Sequence, residues 1–113
     1  MRKIASNYIY LPGFPLIKNG YLVMDQNTVI DVVDTHGVIK EFHSLEFYGG
    51  MIVDGQLLNA KMDHLTGKDI ISFLDQEYAK PNFTSKGLAI IKGADLSQLI
   101  FLKDTVVAPL FTP

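Results

Sequence analysis

Short apolar runs separated by turn residues make up most of the chain, and one stretch departs from that pattern. Ile4, Tyr8, Ile9 and Tyr10 sit among small polar residues until Pro12, Gly13 and Pro15 interrupt them, which predicts a strand followed by a turn at a sheet edge. Gly20 opens a second run over residues 21–24, and Asp25, Gln26 and Asn27 separate it from a third over residues 28–34. That arrangement predicts a hairpin, because Asp and Asn tolerate turn geometry while the flanking β-branched residues favour a pleated, half-buried surface. Strand periodicity puts Ile30 and Val32 on one face of the second arm and Asp31 on the other.

Residues 45–48, 51–53 and 56–58 are three further short runs, with Gly49-Gly50 and Asp54-Gly55 between them. Strands punctuated by glycine turns predict a sandwich or a barrel-like sheet. Gly49-Gly50 is read as a hairpin turn and not as a phosphate cradle, since no helix start follows it and no lysine stands at the spacing of a phosphate loop. Helical periodicity begins at Thr66: Ile70, Ile71, Phe73, Leu74 and Tyr78 share one broad face, and Asp69, Ser72, Asp75, Gln76 and Glu77 the other. Thr66 with Asp69 three residues on resembles a capping box, and Lys80 before Pro81 marks the expected end. The apolar helix face can either cap the sheet or pair with a second copy, so these five residues are a candidate interaction surface. A polar linker over residues 82–86 then leads to strands expected at 88–91, 99–102 and 105–107, with Pro109 placing the last at an edge.

Composition narrows the function. A chain of 113 residues has room for one domain, and 48% hydrophobic with 19% charged residues is ordinary for a folded one. Ten basic and twelve acidic residues, with no run of either sign, argue against a nucleic-acid partner. The lack of cysteine removes disulfides, thiolate metal ligands and thiol nucleophiles. Ile4 to Tyr8 is too polar for a signal peptide, and no run is long enough to cross a bilayer, so a cytoplasmic location without membrane contact is expected.

Three segments together resemble a known family. Residues 2–10, the hairpin over 22–33 and the stretch 49–60 look like the N-terminal part of metal-dependent amidohydrolases, while residues 87–96 and 99–111 look like that family's C-terminal part. The resemblance implies a small β-sandwich, the composite domain, built from N-terminal strands over 1–60 and C-terminal strands over 87–113. Residues 65–86 then hold a helix and linker where relatives carry a metal-binding (β/α)₈ barrel of about 250 residues. The strand entering that barrel reads roughly Pro-Gly-x-x-Asn-Ala-His-x-His in the family. Here Asn59-Ala60 is followed by Lys61, Met62, Asp63 and His64, so Lys61 and Asp63 stand where the two imidazoles would be. Alternate strand residues share a face, which is how two such rings reach one metal, and a charged lysine has no lone pair to offer.

The implied protein is non-catalytic and without a cofactor, a structural, regulatory or protein-interaction module that self-associates or binds another protein, such as a full-length amidohydrolase. The competing reading is metal-assisted hydrolysis by Asp63 and His64 with a residue from a second chain. Against it, Asp63-His64 also fits a polar exit from a strand toward the helix cap, and a working base needs a pocket and an orienting partner. His36 and His43 fit turn and surface positions.

Overall fold

In the computed structural model, which describes residues 2–26, 28–35, 45–60 and 64–110, the predicted hairpin forms from β3 (Tyr21–Asp25) and β4 (Thr28–Val33). Asp25 pairs with Thr28, and Gln26 takes the left-handed φ of 56° that tight hairpin turns favour. The register then slips: Met24 faces Val29 and Val23 faces Asp31, so Ile30 is an extra residue, a β-bulge. The bulge corrects the simple alternation expected of this arm. Val29 and Val32 both pack toward the core, and Ile30 is turned out, half exposed at 50%.

The remaining strands are β1 (Arg2–Ile9), β2 (Ile17–Lys18), β5 (Leu45–Asp54), β6 (Leu88–Lys92) and β7 (Val106–Pro109). They form one seven-stranded sheet in the order β4-β3-β1-β5-β6-β7, with β2 pairing the end of β1. The chain is thus mainly β as expected, but its strands make one sheet where two stacked sheets were expected. The cause is β5. Met51 and Ile52 are paired to β1, in parallel, on one side and to β6, antiparallel, on the other, which ties the N-terminal and C-terminal strands into a common ladder.

Gly49-Gly50, expected as a hairpin turn, lies inside β5. Gly50 has φ 130°, and a Cβ there would stand 2.2 Å from the carbonyl oxygen of Ile91. Opposite it, the β1 register slips between Ser6 and Tyr8, Asn7 Oδ1 accepts from the Gly50 N–H at 2.8 Å, and the buried Ser6 hydroxyl donates to the Gly50 carbonyl at 2.7 Å. Two side chains thereby replace the ladder bonds the bulge disrupts, and the long strand continues where a turn was expected. Of the other expected strands, residues 56–58 instead belong to a 3₁₀ helix (Gly55–Asn59), and the stretch around 99–102 contributes only isolated bridges from Ile100 to Asp69 and Asp95.

Each face of the sheet carries a packed cluster. On one, Ile4, Ile9, Leu22, Met24, Ile52 and Ile90 form a cluster with Leu11, Ile17 and Leu110. Residues of β4 and of the 85–88 segment line the same cavity although three strands separate β4 from β6 in the sheet order, so the sheet curls over this cluster. On the other face Met51, Val53, Ala89 and Ile91 meet α1 (Ile70–Tyr78), with Phe101 edge-on to Phe73 at 5.5 Å. The helix starts one turn later than expected. Asp69, not Thr66, is its N-cap and accepts from the Ser72 N–H at 2.8 Å.

Candidate functional site

Fully buried carboxylates are rare unless their lone pairs are occupied. Asp54, at the end of β5 and 2% exposed, meets that condition. Its Oδ1 accepts from the N–H groups of Gln56 at 2.9 Å and Lys86 at 3.1 Å, and its Oδ2 accepts from the Ser85 hydroxyl. The Gln56 bond caps the 3₁₀ helix, and the other two pin the segment entering β6. A carboxylate so engaged acts as a clasp between two chain segments 31 residues apart, not as a free base.

A second clasp joins the helix to the sheet. The Tyr78 hydroxyl donates to the Tyr10 carbonyl at 2.6 Å and accepts from the Asp54 N–H at 3.2 Å, while the Tyr10 hydroxyl donates to Asp75. Burial pushes the Tyr78 phenol well above its ordinary value, more than the Asp54 N–H lowers it, and the bond to Asp75 raises that of Tyr10. Both phenols are therefore held as donors.

Two concavities flank these clasps. One, of about 630 Å³, runs along the polar side of α1 and is lined by Asn59, His64, Lys68, Gln76, Glu77 and Lys80 among others. Its charges are already engaged in part: Lys80 pairs with Glu77, and Asp69 caps the helix. The other, of about 500 Å³, is a cleft between the 11–14 loop, β4 and residues 85–88. Leu11, Pro12, Phe14, Val29, Ile30, Val32 and Leu88 supply its apolar walls, and Thr28, Asp31, Asp54 and Ser85 its polar ones.

Of the residues singled out in the sequence, Ile70 and Leu74 are fully buried, and Ile71, Phe73 and Tyr78 pack beside them against the sheet within the same chain. His64 is exposed at the mouth of the groove along α1. Lys61, Asp63, His36 and His43 lie outside the described residues. Among the described residues, no group of three or more His, Cys, Asp or Glu side chains could hold a metal. No described helix is long and apolar enough to cross a membrane. Sequence reasoning missed Asp54, Ser85 and the cleft. Asp54-Gly55 and residues 82–86 carry only turn and linker signals, and nothing local joins them.

The chain matches no protein-family profile, no curated protein and no solved structure.

Proposed function

We propose that this protein is a non-catalytic, self-associating β-module, a composite domain of the amidohydrolase kind without its barrel. The likeness is supported by the order of head-like and tail-like motifs and by their strands sharing one sheet through β5. Self-association is supported above all by Phe47, 62% exposed in the middle of the sheet. Pairing places Phe47 beside Ala5, Tyr21 and Val33 in one row across four strands, with Leu45, Lys3, Val23 and Asp31 in the next. Phe47, Tyr21, Val33, Leu45 and Val23 belong to neither buried cluster. The uncharged row of Phe47, Ala5, Tyr21 and Val33, flanked by a row that carries one charge of each sign, suits an isologous contact in which the same face of two copies stacks sheet on sheet. Multi-angle light scattering over a concentration series tests it. The wild type should shift from monomer toward dimer mass, and Phe47→Asp should stay monomeric at every concentration. A wild type that remains monomeric throughout, or a variant that dimerises equally well, defeats the reading.

A further inference from the structure

The cleft between the 11–14 loop, β4 and residues 85–88 has a chemistry of its own. At about 500 Å³ it is within the range of small-molecule sites, and most of its wall is apolar. Its mouth carries two of the chain's exposed large apolar side chains, Phe14 at 47% and Ile30 at 50%. Ile30 is there because the β4 bulge turns it out of the core.

The polar part of the wall is rich in acceptors and poor in donors. Asp31 presents an exposed carboxylate whose Oδ1 accepts from its neighbour's N–H at Val32, its one hydrogen bond among the described residues. Ser85 has committed its proton to Asp54, so its oxygen faces outward as an acceptor. Asp54 adds a second carboxylate behind it. None of the described residues lining the cleft is Lys, Arg or His. A ligand that fits must bring hydrogen-bond donors, positive charge and an apolar body together.

We propose that this cleft binds a small hydrophobic ammonium ion, an aryl- or alkyl-amine whose NH₃⁺ group meets Asp31 and the Ser85 oxygen while its apolar body rests between Phe14, Ile30 and Leu88. Asp31 supplies the charge pairing, and the apolar walls supply the burial that makes one ion pair at a partly exposed site sufficient. Phe14 adds a ring face within reach of the cation or of an aromatic ligand. Phe47 is not among the residues lining the cleft, so the Phe47→Asp variant lets occupation of the cleft be read apart from self-association.

The test is a ¹H–¹⁵N correlation titration of the full chain with three probes of one shape: phenethylamine, 3-phenylpropionate and 3-phenylpropanol. Phenethylamine should give saturable shifts at Ile30, Asp31, Ser85 and Leu88, with affinity at least about tenfold above either control. Asp31→Asn should weaken the amine by roughly fivefold or more without changing the spectrum elsewhere, and Ile30→Ser should weaken it by a smaller factor. Equal shifts from the carboxylate or the alcohol, shifts confined to other residues, or no saturation by about 10 mM amine overturns the proposal.

Discussion

The two faces of the sheet solve the same burial problem by different means. On the helix face, α1 brings Ile70 and Leu74 onto Met51, Val53 and Ile91, and hydroxyls seal the contact: Tyr78 to the Tyr10 carbonyl, Tyr10 to Asp75. On the opposite face no helix among the described residues lies over the cluster, and the sheet curls so that β4 approaches residues 85–88. A helix is a rigid lid that can be locked by a few directional bonds. A curled sheet edge closes less completely, and the difference is the cleft. The concavity is thus a consequence of how the core was covered, and the polar groups at its back, Asp54 and Ser85, are there first to hold the chain together.

The strand shared by both faces, β5, is the most sensitive to substitution. Gly50→Ala puts a Cβ 2.2 Å from the Ile91 oxygen at φ 130°, so the β5–β6 pairing must shift and both clusters lose their common wall. A loss of about 3 kcal/mol or more in urea unfolding is expected, with reduced near-UV dichroism. A variant as stable as the wild type would show that the bulge is dispensable.

Removing one directional bond from the helix face alone has a smaller effect. Tyr78→Phe should lower stability by about 1–2 kcal/mol, because the Tyr10 carbonyl and the Asp54 N–H both lose a partner. It should also change the alkaline limb of the stability profile. The Tyr78 phenol is raised in the folded state above its ordinary value near 10, so the folded chain binds more protons than the unfolded one above that pH. The stability contributed is complete below pH 10 and falls as pH rises further. Thermal unfolding between pH 8 and 11 should therefore show a steeper alkaline decline in the wild type than in the variant. Parallel curves would mean that Tyr78 titrates alike in both states.

The cleft face should be the more forgiving. Ile30→Thr, at the half-exposed bulge, is expected to change the unfolding midpoint by less than about 0.5 kcal/mol, since nothing in the core leans on it. A larger loss would mean that the curl depends on Ile30 and that the two faces are less different than their geometry indicates.

Local pattern was legible wherever neighbours in sequence are neighbours in space. The β3–β4 hairpin and the apolar stripe of α1 follow from periods of two and 3.6, and Pro109 does end up on the outermost strand β7. Glycine was misleading. A Gly-Gly pair favours a tight turn and a bulge for the same reason, its tolerance of unusual φ, and only the approach of Ile91 and the side chains of Ser6 and Asn7 decides between them. The N-cap was displaced in a similar way. Thr66 and Asp69 both suit the role, and the bonds from Gly67 and Ile70 N–H to the Phe101 and Leu99 carbonyls hold residues 67–69 out of the helix.

The amino-acid order by itself determined that this chain is mainly β with one amphipathic helix, because those preferences reside in side-chain shape and spacing. Tertiary structure alone decided that the strands join into one sheet around β5, that Asp54 reaches Ser85, and that Asp31 shares a cleft with Leu88. Each of these rests on a contact between segments far apart along the chain. Backbone groups will pair with any strand that arrives in register, so the choice belongs to the packing of the whole.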